Sequence, residues 1–179
     1  MPVLASKSND VLVIVILSIV GFLLFLLAIN LFFLVVFSRR IKRNQRALTI
    51  IIATKYRYLK KVFEIYHKTT GELDPKIQEV LKYINLLNLE DPASSESRDT
   101  VNKLTYLRNE MDFVTKKDVL FQKHEEFIRA KTSVEEMDVV YQRAIASYNN
   151  DINGYNYWIR FLPYRWLFVL LKAKKKEII

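Results

Sequence analysis

The stretch VLVIVILSIVGFLLFLLAINLFFLVVF, residues 11–37, decides the fold. It contains no charged residue, and about 20 apolar residues in a helix are enough to cross the hydrocarbon core of a bilayer. It is longer than the apolar region of a cleaved signal peptide, and it leads directly into SRRIKRNQR. We therefore predict an uncleaved single-pass transmembrane helix rather than a buried core helix of a soluble protein.

The charges that flank this stretch predict its orientation. Only Lys7 and Asp10 precede it, whereas five basic residues follow it closely: Arg39, Arg40, Lys42, Arg43 and Arg46. Lys and Arg concentrate on the cytoplasmic side of a membrane span. We expect a cell-membrane protein in which residues 1–10 form a short extracytoplasmic N-terminus, residues 11–37 span the membrane, and the remaining body is cytoplasmic.

The net charge of +9 favours a membrane surface as partner over nucleic acid. Besides the five basic residues after the span, a second basic cluster lies near residue 179 and comprises Lys172, Lys174, Lys175 and Lys176. Anionic lipids of the inner leaflet attract such clusters, and the sequence shows no nucleic-acid-binding motif. We expect contact with anionic lipid headgroups and no contact with nucleic acid.

The part of the chain after the span has the composition of an all-helical protein. Only three Gly and four Pro occur in 179 residues, so few positions break a helix. Apolar residues recur at helical spacing, and the first stripe continues from the span to TTGELD. We predict one helix from about residue 10 to 69, a second capped by Asp74, a third capped by Asp99 or Thr100, and a long fourth helix.

The fourth helix has the most extended stripe, which steps by three or four residues from Phe127 to Leu162. Ser133 with Glu136 is an alternative helix start, but the stripe does not change phase there. The predicted fold is all-α, with the transmembrane helix continuing into an antiparallel four-helix-type bundle over residues 38–163. The stripe is also typical of a coiled-coil seam. Gly154 in the middle of this helix indicates a close helix contact, because glycine is unfavourable there.

Residues 148–163, YNNDINGYNYWIRFLP, resemble the C-terminal signature of the LemA family. That signature is Tyr-Asn, five residues, Tyr-Asn, two residues, Ile, three residues and Pro. This chain matches it at Tyr148, Asn149, Tyr155, Asn156, Ile159 and Pro163, and upstream at Phe127 and the acidic Asp138. The specific match covers residues 127–163. The chain departs from the family at KYRYLKKVF, residues 55–63, where members show paired Arg followed by Asp-Leu-Ile-Pro.

What the resemblance implies is a membrane-anchored cytoplasmic helical bundle, without any particular reaction. The seven-residue spacing of Tyr148 and Tyr155 predicts that both side chains face the seam. Asn149 and Asn156 lie one position round the helix, where we expect each amide to reach a neighbouring helix.

The sequence offers little for catalysis. Glu64 and His67 form Glu-x-x-His, but a di-iron bundle needs a second such motif, and His124, the other histidine, lacks it. No phosphate-binding glycine loop and no nucleophile elbow occur. We therefore expect neither an enzyme nor a cofactor, a metal or a small-molecule substrate.

Residues 164–179 form an amphipathic basic tail, in which Trp166 and the lysines favour the membrane surface. The alternative is that this tail packs on the bundle. The leading hypothesis is a non-catalytic membrane scaffold that forms a homo-oligomer or docks another membrane protein. The alternative hypothesis is a lipid-binding or membrane-remodelling protein that uses the tail, and the least favoured is a metal-dependent bundle enzyme.

Overall fold

The structure is a computed structural model, and it describes residues 2–84, 92–118, 121, 123–160 and 174–179, with side chains from residue 11 onward. Within these residues it contains four helices and no strand: α1 (Pro2–Thr70), α2 (Pro75–Tyr83), α3 (Ser95–Lys117) and α4 (Glu125–Arg160). The predicted all-α fold is confirmed. Pro163, Trp166 and Lys172 lie outside the described residues.

Helix α1 is uninterrupted over 69 residues and so contains both the apolar stretch and the first helix of the bundle. It ends where the sequence predicted. Gly71 takes a φ of 75° and its N–H donates to the carbonyl of His67 at 2.9 Å. A glycine is favoured at this position because the left-handed conformation costs it no clash with a Cβ atom.

Helices α2 and α3 begin at side-chain caps. The Asp74 carboxylate accepts from the backbone N–H of Lys76 at 2.8 Å, as predicted. The cap of α3 is Ser94, whose hydroxyl accepts from the N–H of Ser97 at 3.1 Å. The predicted cap at Asp99 or Thr100 is therefore wrong, because Ser94 caps the helix five residues before Asp99.

Helix α4 runs through Ser133 without a break, which confirms the continuous helix and excludes a new start there. The Ser133 hydroxyl donates to the carbonyl of Arg129 at 3.0 Å within the same helix. A serine in mid-helix commonly makes this backward bond, so it caps nothing here.

The described chain divides into two compact units, and both long helices contribute to each. One unit comprises residues 40–151 and 177–179. Its core contains apolar residues from all four helices, and most of the predicted stripes are buried in it: Ile52, Leu59, Phe63, Ile77, Leu104, Leu107, Met111, Phe127 and Val134. We call this unit the helical body. Within it α1 and α4 are antiparallel, since Asn44 contacts Asp151 and Lys55 contacts Asp138.

The other unit comprises residues 1–39 and 152–176, and we call it the anchor unit. In it Ile159 of α4 packs against Leu26, Leu27 and Leu34 of α1. The ring of Trp158 stacks on Phe33, with centroids 4.6 Å apart and the rings 7° from parallel. Residues 11–25 of α1 are exposed throughout.

Among the described residues, one helix is long and apolar enough to cross a membrane. It is α1, whose most apolar 18-residue window has a mean hydropathy of 3.3 and no buried residue. A core helix of a soluble protein would bury such a window, so the exposure agrees with a lipid-facing segment.

Candidate functional site

The amide nitrogen and the amide oxygen of Asn149 both bind Ile179 in the tail. Its Nδ2 donates to the backbone carbonyl of Ile179 at 2.6 Å, and its Oδ1 accepts from the backbone N–H of Ile179 at 3.0 Å. An asparagine amide offers donors and an acceptor side by side, so it can bind the N–H and C=O of a single residue. We call this pair of bonds the Asn149 clamp, and it lies within the helical body.

Asn156 repeats the arrangement seven residues later. Its Nδ2 donates to the carbonyl of Lys176 at 2.9 Å, and its Oδ1 accepts from the N–H of Lys176 at 3.0 Å. The Lys176 ammonium lies 5.4 Å from the centroid of the Tyr155 ring, within reach of a cation–π interaction. This is the Asn156 clamp, and it lies within the anchor unit.

The partners of both amides differ from the sequence expectation. We expected each asparagine to reach a neighbouring helix, but each binds residues of segment 174–179, which is neither helix nor strand. The physical reason is availability, because backbone groups inside a helix are already paired, whereas those of an irregular segment need partners. Each asparagine of the Tyr-Asn repeat therefore binds one residue of segment 174–179.

Among the described residues, the basic side chains predicted to meet the membrane are exposed with one exception. Arg39, Arg40, Lys42, Arg43 and Arg46 are exposed along α1, as are Lys174 and Lys175 in the tail. Lys176 is half-buried because its backbone is clamped and its side chain covers Tyr155. Lys176 is therefore less exposed than Lys174 and Lys175, the other described lysines of the tail.

The apolar positions of the family-like signature are packing residues. Tyr148 and Ile159 are buried, and Tyr155 is half-buried. Phe127 is fully buried, and its ring centroid lies 4.9 Å from that of Phe121. These contacts account for the aromatic stripe of α4 without a ligand.

Asp138 connects three helices of the body. One carboxylate oxygen lies 2.5 Å from the Lys55 ammonium of α1, and the other accepts from Nε of Arg108 of α3 at 3.0 Å. Arg108 also pairs with Asp112 on its own helix and lies 3.8 Å from Glu135 of α4. Lys55 retains 11% of its side-chain exposure and Arg108 20%, so these charges interact largely away from solvent.

The electrostatics of this network favour its charged form. Burial by itself disfavours the Arg108 cation, but the hydrogen bonds that Arg108 donates to Asp112 and Asp138 outweigh it and raise the pKa of Arg108 above its ordinary value. Such charge-assisted bonds are stronger than neutral ones. Arg108 and Lys55 were missed in the sequence, because neither belongs to a recognisable motif.

A second polar contact between α1 and α4 was also missed. The Asn44 amide donates to Asp151 Oδ2 at 2.9 Å and to Ser147 Oγ at 3.2 Å. Asp151 is buried, so this bond partly satisfies a carboxylate removed from solvent. Asp151 lies four residues after Ser147, so both side chains lie on the same face of α4. In the sequence, this spacing was the one signal that a single partner could bind both.

An apolar cavity of 390 Å³ adjoins the tail in the helical body. Its wall includes Ile52 of α1, Val101 of α3, Ile145 of α4, and Ile178 and Ile179 of the tail. Tyr141 also lines it, and burial raises the pKa of the Tyr141 phenol above its ordinary value. Because most of the wall is apolar, the cavity suits an apolar guest.

The Glu-x-x-His pair points to solvent. Glu64 and His67 are both exposed, and Glu64 lies 3.9 Å from Lys60 on the same helix. In the part of the chain that the structure describes, no group of three His, Asp or Glu side chains is arranged to hold a metal ion.

Gly154 lies against the aromatic ring of Phe37. A Cβ atom added to it would lie 2.5 Å from Cε1 of Phe37. The predicted close contact is therefore present, and it is formed with the aromatic end of the apolar stretch.

We expect Gly154→Ala to destabilise the anchor unit, although alanine favours a helix by about 1 kcal/mol. Overpacking of this kind costs about 1–3 kcal/mol. Thermal unfolding of the full chain in detergent, followed by circular dichroism, measures the change. In a Phe37→Ala background the same substitution should instead stabilise by about 1 kcal/mol. Equal effects in both backgrounds would show that the contact is absent.

Asn30 is the one fully buried polar residue described within the apolar stretch, and neither of its amide atoms has a hydrogen-bond partner among the described residues. A buried unsatisfied polar group costs about 1–3 kcal/mol. We expect Asn30→Leu to raise the thermal stability of the full chain in detergent. Ser18→Leu is the matched control, because Ser18 is exposed and bonds to Ile14 of its own helix at 2.9 Å. A loss of stability in Asn30→Leu would contradict the assignment.

No protein-family model, no curated protein and no solved structure matches this chain.

Proposed function

We propose that this chain is a LemA-like single-pass membrane protein that acts as a non-catalytic helical scaffold. In this proposal it self-assembles or docks another membrane protein at the cytoplasmic face. The N-terminus lies outside the cell and the helical body inside, in contact with anionic lipid.

The observation that carries the proposal is the continuity of α1. One helix from Pro2 to Thr70 contains both the exposed apolar stretch and core positions of the body, such as Leu48 and Leu59. Such an arrangement suits a protein that carries a helical body on a membrane anchor.

The polar contacts support the same function. Asp138 joins three helices, and Asn44 joins α1 to α4. These polar contacts stabilise the bundle, and a scaffold needs a stable bundle. Orientation is supported by the five exposed basic residues that follow the span.

Apolar side chains on the body remain available for contact with a partner. Ile50 of α1, Phe113 of α3, and Ile128 and Val139 of α4 are all exposed. Native mass spectrometry of the full chain from lipid nanodiscs tests assembly, with multiples of 21.2 kDa expected. Phe113→Ser with Ile128→Ser is expected to weaken those assemblies. A chain that stays monomeric, and that crosslinks to no membrane protein in cells, would contradict the proposal.

A second function, lipid binding or membrane remodelling, is favoured by the depth of α4 in the anchor unit. The bilayer core takes about 20 helical residues. Any 20-residue segment within residues 11–37 starts between 11 and 18, so all such segments share residues 18–30. Leu26 and Leu27 fall in that shared part, and Ile159 packs against both. In this alternative the end of α4 enters the bilayer beside α1.

Fluorescence of Trp158 tests this alternative. Trp166→Phe leaves Trp158 as the single tryptophan, because the chain has two. With the full chain in vesicles, we expect lipids brominated on their acyl chains to quench Trp158 strongly. Phe33→Ala should alter that quenching, because Trp158 stacks on Phe33. A Trp158 quenched only by a water-soluble agent such as iodide would exclude insertion of α4.

A further inference from the structure

We propose that the 390 Å³ cavity of the helical body is a binding site for a free fatty acid. The alkyl chain of the ligand lies in the cavity, and its carboxylate pairs with Arg98 at the wall. The described residues that line the cavity all belong to the helical body. The site is therefore independent of self-assembly and of any docked membrane protein.

The wall of the cavity is largely apolar and comes from three helices and the tail. It includes Leu48 and Ile52 of α1, Val101 of α3, Ile145 of α4 and Ile178 of the tail. Ligand pockets usually enclose about 300–1,000 Å³, and this cavity lies at the lower end of that range. Its size suits one alkyl chain, whose methylene groups gain free energy on leaving water.

The Asn149 clamp positions one side of this wall. The Asn149 amide binds the backbone N–H and C=O of Ile179, and both Ile178 and Ile179 line the cavity. Ile178 is nevertheless 57% exposed, so much of its apolar surface is in contact with solvent. An alkyl chain packed against Ile178 would bury part of that surface, which is favourable.

The polar end of the cavity selects an anionic head group. Among the described residues that line the cavity, Arg98 is the one that carries a charge. It lies in the first turn of α3, and the N-terminal end of a helix attracts anions. Asn102 also lines the cavity and follows four residues later, so both side chains lie on one face of α3. A guanidinium and an amide both donate hydrogen bonds to a carboxylate, whose single charge matches that of Arg98.

The body already places a carboxylate beside Arg98. Glu177 of the tail lies 3.7 Å from Arg98, and both of these side chains are mostly exposed. A surface ion pair of this kind contributes little. A carboxylate that is anchored by an alkyl chain in the cavity can therefore replace Glu177 at small cost.

A neighbouring cavity of 290 Å³ is less suited to the head group. It shares Ile52, Val101 and Tyr141 with the first cavity, and it is also lined by Lys55 and Asp138. The Lys55 ammonium lies 2.5 Å from Asp138, so an anion at Lys55 would be repelled by the carboxylate already there. The geometry thus assigns the head group to Arg98.

Photocrosslinking of the full chain in lipid nanodiscs tests the site. The probe is a lauric-acid analogue with a diazirine in its chain, and mass spectrometry identifies the labelled residues. We expect labelling of cavity residues such as Val101 and Ile145, and excess unlabelled laurate should suppress it. Labelling of residues 11–25, which are exposed in the apolar stretch, measures probe dissolved in the bilayer and should persist. Labelling confined to residues 11–25 would overturn the proposal.

Two charge variants should change the labelling of the cavity in opposite directions. Arg98→Gln removes the cation and should reduce labelling by the acid about fivefold or more. Glu177→Gln removes the competing carboxylate and should increase labelling about twofold. Arg129→Gln is the matched control, because Arg129 is mostly exposed and does not line the cavity. If Arg98 served only to hold Glu177, both variants would lower the labelling alike, and that result would overturn the site.

The head group and the chain of the ligand can be tested separately. The corresponding alcohol, lauryl alcohol with the same diazirine, has no charge, so Arg98→Gln should leave its labelling of the cavity unchanged. Ile145→Trp fills the cavity and should abolish labelling there by both probes. Circular dichroism shows whether that variant folds, and the Arg98→Gln test stands if it does not, because Arg98 is exposed. Equal losses of acid and alcohol in Arg98→Gln, or unchanged labelling in a folded Ile145→Trp variant, would overturn the proposal.

Discussion

Asp138→Ala is expected to lower the stability of the helical body by about 3–5 kcal/mol. The substitution leaves the Lys55 ammonium and the Arg108 guanidinium largely buried without the carboxylate that joins them. Removing one partner of a buried ion pair costs far more than the pair contributes, because an uncompensated charge remains. For a chain of this size about 6–20 °C of melting temperature should be lost.

Two further variants test whether this loss of stability comes from the ion network around Asp138. Glu125→Ala breaks a pair with Arg129 on the same helix, but both of those side chains are 77% exposed, so little change is expected. Replacing Lys55, Arg108 and Asp138 together by Met, Met and Leu should recover most of the loss, because an apolar core often substitutes for a buried ion network. A loss in Asp138→Ala no larger than in Glu125→Ala would show that the network does not stabilise the body.

The helices were predictable because their signal is local. Leu104, Leu107, Met111 and Val114 repeat at helical spacing, and all four are buried in α3. The same reasoning gave the end of α1, since a glycine follows the last apolar residues there. The start of α3 was misplaced because five Ser, Asp or Thr residues between positions 94 and 100 are potential caps, and the sequence does not rank them.

The contacts between distant parts of the chain were not predictable in the same way. Lys55 and Asp138 are separated by 83 positions, and which turns of α1 and α4 meet depends on the register of two helices. The clamps were harder still, because they bind the backbone of residues 176 and 179. Backbone groups are the same at every residue, so the tail carries no side-chain signal for them.

The described end of the tail, residues 174–179, contains both exposed and bound lysines. Its exposed lysines, Lys174 and Lys175, keep the character of a membrane-surface cluster. Its next residue, Lys176, is bound to α4 by two backbone bonds. Release of the Asn156 clamp would leave Lys176 as exposed as these two lysines, and anionic lipid attracts such a cluster.

The two tyrosines of the Tyr-Asn repeat differ in burial. Tyr148 is 2% exposed in the helical body, whereas Tyr155 is half-buried and lies beneath the ammonium of Lys176. The sequence treats them as equivalent, since both begin a Tyr-Asn pair. The structure predicts that only one of them is essential for folding.

Tyr148→Ala is expected to cost about 3–5 kcal/mol, the usual loss for removing a large aromatic from a core. Tyr155→Ala should cost about 1–2 kcal/mol, because a half-buried ring and one cation–π contact are lost. Tyr157→Ala is the control: this ring is 62% exposed and packs edge-on against Trp158, so we expect a loss below about 1 kcal/mol. Thermal unfolding of the three full-length variants in one detergent gives the order. Equal losses for Tyr148→Ala and Tyr157→Ala would mean that the first ring of the repeat lies on the surface, and that the body packs differently from the arrangement described.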